Sequence, residues 1–294
     1  MRYVTSCLPG LGVLACAICC AAQDPRLAAA IPAIESTIRK SGVEVAVAFR
    51  TLDGRSQWLW RADQSFHAAS TMKVAVLIEL YRQAHEGRVR LDEPLVIRNE
   101  FHSLVDGSPF ALDPNDDSER DLYQAVGETR ALRQLSELMI TVSSNLATNL
   151  LMDKLGVDNI RAGVHVLGAD GMNVRRDLED SKAFAQGLNN TTTARALLRL
   201  MEAIARGQAV DADSSRQMVA VLERQTVNDR IPAGLPSGTR VAHKTGEITG
   251  IRHDAAIVFA PRPYVLVLTR GGVVAEQGCH LIAVITRQLY RATQ

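Results

Sequence analysis

The sequence predicts an α/β fold in which strands from both ends of the chain share one sheet and a helical block is inserted beside it. Three observations lead there. Residues 43–50 (VEVAVAFR) alternate as a half-buried strand does. From Ser70 onward the apolar spacing becomes helical. After Pro236 apolar, β-branched runs return, and both strand sets need one sheet to bury their faces.

The elements follow in order. Asp53-Gly54 is a turn signal, and Gln57-Trp58-Leu59-Trp60 completes a hairpin with the first strand. Val74, Leu77, Ile78 and Tyr81 mark a helix starting at Ser70. Residues 98–121 are a polar, acidic excursion holding Gly107, Pro109 and Pro114. Leu132, Leu135, Leu138 and Met139 mark a second helix. Asn145 to Leu155 marks a third, closed by Gly156. Residues 191–206 open on threonines of N-cap type and close at Gly207. A short strand is expected over Arg240–His243, then strands over Ala255–Phe259 and Tyr264–Thr269. A last helix is expected from about Ala275 to Arg291. The division is therefore a leader at 1–22, an α/β domain from 23–68 plus 237–294, and a helical domain over 69–236. A cleft between the two halves is the natural place for a site.

Composition narrows the classes. The chain has 294 residues, 47% hydrophobic and 22% charged, which suits a large packed core and excludes a disordered chain. The first 22 residues read as a secretory leader: Arg2, an apolar stretch from Cys7 to Cys20, then Cys20-Ala21-Ala22 for cleavage. A periplasmic or secreted protein is expected, with an uncleaved anchor or lipid attachment at Cys16 as the alternatives. Four of the five cysteines lie in the leader, so the mature chain keeps Cys279 and forms no internal disulfide. Cys279 reads as apolar filler. The net charge is +1, and zero without the leader, which gives no electrostatic case for nucleic acid or anionic membrane. A monomer acting on a small molecule is expected.

Three short segments carry chemistry. In Ser70-Thr71-Met72-Lys73 the i, i+3 spacing puts the lysine within reach of the serine hydroxyl, a weak nucleophile until a neighbour takes its proton. Burial can lower a lysine's pKa enough for that task. Ser143-Ser144-Asn145 lies between two helices, where a serine can relay a proton and Asn145 can donate to a substrate amide carbonyl. It also suits a helix N-cap. In His243-Lys244-Thr245-Gly246, Lys244 and Thr245 can bind a carboxylate, and Gly246 lets a substrate approach. The N–H of Glu247 can pair with that of Ser70 as an oxyanion site.

The three segments in this order form the Ser-x-x-Lys, Ser-x-Asn and Lys-Thr-Gly set, and the chain resembles the class A serine β-lactamase family over nearly its whole mature length. The resemblance implies an antiparallel sheet flanked by helices in three α/β/α layers, with an inserted all-helical domain, as in β-lactamases and transpeptidases. It implies an acyl-serine intermediate, a β-lactam substrate, and neither metal nor cofactor. Ser70 takes the place of the nucleophile, Lys73 of the general-base lysine, Ser143 of the proton-relay serine and Lys244 of the carboxylate-binding lysine. Residues 187–193 resemble the end of the family's Ω-loop, here near 173–190. Two departures stand out. Ser144 replaces the aspartate of the second motif. In Arg175-Arg176-Asp177-Leu178-Glu179-Asp180 the usual pattern around the deacylating glutamate is missing. Glu179 takes that place with a two-residue gap, and Asp177 without one; Glu179 is favoured because aspartate is a methylene shorter. A penicillin-binding DD-peptidase or esterase with slow β-lactam turnover is the alternative. The acidic run 113–121 reads as solvated loop. His253-Asp254 are strand neighbours that point to opposite faces, so they do not make a dyad.

Overall fold

A computed structural model describes residues 24–272 and 275–294, with the side chains of 275–278 left out of the description. The leader expected at 1–22 lies outside the described residues. Five long strands are present: β1 (Glu44–Thr51), β2 (Gln57–Trp60), β3 (Arg240–Ile248), β4 (Ile251–Phe259) and β5 (Tyr264–Gly271). The helices of eight or more residues are α1 (Pro25–Lys40), α2 (Lys73–His85), α3 (Leu132–Thr141), α4 (Asn145–Leu155), α5 (Val157–Val166), α6 (Ala194–Ala205), α7 (Ala212–Leu222) and α8 (Ala275–Thr293).

The strands form one antiparallel sheet in the order β2-β1-β5-β4-β3. Both faces are buried, and the period of two sorts the side chains. Val45, Val47 and Phe49 of β1, with Leu266 and Leu268 of β5, meet Leu27, Ile34 and Ile38 of α1 and Ile282, Ile285 and Leu289 of α8. Ala46, Ala48, Ala255, Val265 and Val267 face the helical side, where α6 packs on the sheet. Small alanines on that face let the helix come close.

α2 runs through the middle of the helical side and touches α3, α4, α5, α6 and α7. Ten of its thirteen residues are buried, including Lys73 at its first position. A helix buried all round is a core element rather than an amphipathic surface one. This fixes Lys73 in the interior. Among the described residues no helix is long and apolar enough to cross a membrane.

The structure differs from the sequence expectation in definite places. Helices α1, α5 and α7 do not stand out in the sequence. α1 carries Pro32 inside it, and α7 begins on the polar run Ala212-Asp213-Ser214-Ser215. The helix expected from Ser70 begins at Lys73, because residues 69–72 form a tighter 3₁₀ turn. β3 is nine residues long, not four, so Lys-Thr-Gly lies inside a strand rather than at its end. Ile248 pairs with Ile251 across a two-residue turn, and the ladder carries through Arg252, His253 and Asp254. Those polar residues break the apolar pattern that marks a strand, yet His253 and Asp254 are fully buried.

Candidate active site

The 3₁₀ turn 69–72 packs against β3, an edge strand of the sheet. Gly246 makes that contact possible: a Cβ there would lie 2.9 Å from Thr71 Cγ2 and 3.0 Å from Thr71 N. The glycine therefore serves the docking of the Ser70 turn on the strand. The alternation of an antiparallel ladder also sets the direction of the Glu247 N–H. Ile248 and Ile251 close the hairpin as a bonded pair, so the next pair, Glu247 and Arg252, turns its N–H groups outward. From an edge strand, outward means toward the 69–72 turn.

Ser70 opens into a cleft of about 600 Å³ lined also by His67, Asp116, Asn145, Leu178, Glu179, Phe184 and Ile248. Four non-glycine residues among those described have positive φ: Arg61, Ala69, Ser143 and Glu179. Three of them are Ser70's neighbour and two candidate site residues. A non-glycine residue in this region costs on the order of 1 kcal/mol or more and persists where surrounding contacts hold it. At Ala69 one such contact is its own N–H, which donates to His67 Nδ1 at 3.0 Å.

Behind the cleft the candidate groups converge on one turn. Lys73 Nζ donates to Ser143 O at 2.6 Å, Ser143 Oγ at 3.2 Å, Ser144 O at 3.4 Å and Asn145 Oδ1 at 2.9 Å. It does not bond the Ser70 hydroxyl, as the i, i+3 spacing suggests; the carbonyls of the turn hold it instead. Lys244 Nζ donates to the same Ser143 Oγ at 3.0 Å and to Thr245 O at 3.0 Å. Both lysines are fully buried. Burial pushes Lys73 down to about 7, against the opposing pull of the Asp117 and Glu179 carboxylates. Lys244 is held well below the ordinary lysine range by burial and by the positive charge of Lys73.

Asn145 joins the lysine to the loop. Its Oδ1 accepts from Lys73, and its Nδ2 donates to Glu179 Oε1 at 2.9 Å. Burial raises the Glu179 carboxyl above its usual value. Asp177 is not among the residues lining the cleft. Burial, with the negative charges of Asp153 and Asp180, raises it to about 7.

The loop 174–190 is closed by a bridge between Asn173 and Thr191, with N–H to O distances of 2.8 and 3.0 Å. Asn190 Oδ1 accepts from the N–H groups of Arg175 and Arg176, and its Nδ2 donates to Arg176 O. Asn149 of α4 clamps Leu178 from the other side through both its N–H and its carbonyl. The 98–121 excursion packs on this loop: Asp180 accepts from Ser103 Oγ and from Leu104 N at 2.9 Å each.

Two charged residues near the site escape the sequence reading. Arg230, 1% exposed, donates to Gly246 O at 3.3 Å and to His253 O at 2.9 Å, and it pairs with Glu247. Glu247 also pairs with Arg252 at 2.9 Å. Asp117 belongs to the acidic run read as solvated loop, yet it is 6% exposed. Its Oδ2 accepts from Asn145 N and Leu146 N at 2.9 Å each, from Tyr123 Oη at 2.9 Å and from Ser144 Oγ at 3.3 Å. Nothing in the run sets Asp117 apart, since three of the groups it bonds, at Ser144, Asn145 and Leu146, lie 27 to 29 residues away in sequence.

The β-lactamase enzyme family model matches residues 26–293. This chain belongs to that family. It is 27% identical over 239 residues to β-lactamase CTX-M-97 of Escherichia coli, an alignment covering 80% of this chain and 78% of that protein. The β-lactamase of Sphaerobacter thermophilus is similar in structure, with TM-score 0.74 at 27% identity over 91% of this chain and 96% of the other. A mutant of PBP-A, solved as an acyl-enzyme complex with penicillin G, superimposes with TM-score 0.77 at 28% identity over 92% of this chain and 98% of that one. The fold class is thus that of the β-lactamases and their penicillin-binding relatives, and the chain is an enzyme of that family.

Proposed function

We propose that the protein hydrolyses β-lactam antibiotics through an acyl-Ser70 intermediate. The observation that carries the reading is that Ser70 and Glu179 share one cleft while Asn145 ties Glu179 to Lys73. Groups suited to forming the acyl-enzyme and to breaking it down stand together.

In the first half-reaction the Ser70 hydroxyl attacks the lactam carbonyl carbon. Its proton passes to the neutral amine of Lys73, which at about 7 is part deprotonated near neutrality. The outward N–H of Glu247 and that of Ser70 hold the developing oxyanion. The ring C–N bond breaks, and the leaving nitrogen takes a proton through Ser143 Oγ, which Lys73 and Lys244 both contact. Lys244 and Thr245 receive the substrate carboxylate, and Asn145 its amide carbonyl. In the second half-reaction Glu179 takes a proton from water as the water oxygen attacks the acyl carbonyl; the ester C–O bond then breaks, the Ser70 oxygen recovers that proton, and the product leaves as a free carboxylic acid.

The likeness to PBP-A favours a second reading, a penicillin-binding DD-peptidase or esterase that acylates readily and turns over slowly. A chromogenic cephalosporin followed by absorbance and intact mass together separates the two. Steady turnover supports the hydrolase. A burst of one equivalent with a lasting adduct supports the penicillin-binding reading.

A further inference from the structure

We propose that Asp117 is a positioning residue. A carboxylate supplied by the 98–121 excursion stands beside the turn where Ser144 offers none, and it holds the 143–145 turn against Lys73. The inference rests on the proposed roles of Ser70 and Lys73.

The geometry places Asp117 at the start of α4. Its Oδ2 accepts from the first two N–H groups of that helix, Asn145 and Leu146, and from Ser144 Oγ. These helix-end donors have no partner within the helix, and a carboxylate is favoured there by the helix dipole as well. Ser144 Oγ takes the remaining N-cap bond, from Ala147 N at 3.2 Å. Asp117 Oδ1 accepts from Glu119 N at 3.1 Å, which anchors the carboxyl to its own loop. Tyr123 Oη adds a fourth donor on Oδ2 at 2.9 Å. The turn so fixed is the one whose two carbonyls, Ser143 Oγ and Asn145 Oδ1 receive Lys73 Nζ. Asp117 touches none of the reacting atoms and acts through that turn and through its charge. The charged groups facing Lys73 are Asp117, Glu179 and Lys244.

The test uses the mature protein with 13C-labelled lysine. There are five lysines in the whole sequence, so the Lys73 signal is readily assigned. In Asp117→Asn, of the same shape without the charge, the Lys73 titration midpoint is expected to fall below that of the unsubstituted protein. Acylation by penicillin, followed by intact mass, should slow about tenfold or more, as for the loss of a charged hydrogen-bond acceptor. Its acid limb should move to lower pH. Asp117→Ala should slow further, and adding Ser144→Asp to it should restore both rate and midpoint. A folded Asp117→Asn with an unchanged Lys73 midpoint overturns the proposal. So does a double variant no faster than Asp117→Ala. If the unsubstituted protein takes up no penicillin, the proposed function fails by itself, and the Lys73 midpoint still decides the role of Asp117.

Discussion

Replacing Glu179 by glutamine keeps the side chain's length and shape while removing its capacity to take a proton. The Asn145 Nδ2 contact at 2.9 Å can persist on the amide oxygen, so the loop and the lysine should stay in place. The loop is also fixed independently by Asn149 and Asn190. Formation of the acyl-enzyme should therefore continue, and its hydrolysis alone should suffer. A general base contributes about 10²–10⁴-fold. From a typical turnover near 10 s⁻¹, deacylation should fall to roughly 0.1–0.001 s⁻¹. Mixing Glu179→Gln with penicillin and taking intact masses over seconds to an hour should then show an adduct that builds to one equivalent and decays slowly. Unchanged turnover in this variant would refute the reasoning. Accumulation in Asp177→Asn but not in Glu179→Gln would assign deacylation to the other carboxylate.

Ser70→Ala should take up no penicillin at any time point by mass, while its melting temperature stays close to that of the unsubstituted protein. Lys73 sets a pH prediction: its amine, lowered to about 7, is charged below that value and cannot accept the serine proton. The acylation rate should thus rise with pH through about 7, and a flat profile from pH 5 to 8 would count against Lys73 as base. The same shift makes folding stability increase with pH between about 7 and the ordinary lysine value, since the unfolded chain there binds the proton that the folded one has lost. Gly246→Ala should push the new Cβ into Thr71, with a destabilisation of about 1–3 kcal/mol by denaturant unfolding and slower acylation as the Ser70 turn shifts. A variant of unchanged stability and rate would show that the strand does not set the turn.

The sequence by itself determined the local chemistry and the class of fold. The spacing of Ser70 and Lys73, the position of Ser143 to Asn145 between two helices, and the alternating strands all depend on residues near one another in the chain. Such periodicities are legible because the backbone repeats every 3.6 or 2 residues. Tertiary structure decided the rest. Local pattern could not say that Lys73 and Lys244, 171 positions apart, meet at one serine hydroxyl, where burial lowers both and the charge of Lys73 lowers Lys244 further. Between Glu179 and Asp177, two residues apart in one loop, it favoured Glu179 on side-chain length alone, and the structure adds that Glu179 lines the cleft while Asp177 does not. Asp117 is the sharpest case. In sequence it is one acid among several in a polar run, and only the folding of that excursion onto α4 buries it against four donors. The physical reason is common to all three. Burial and long-range juxtaposition set the charge and hydrogen-bond state of these groups, and neither is encoded in the spacing of neighbours.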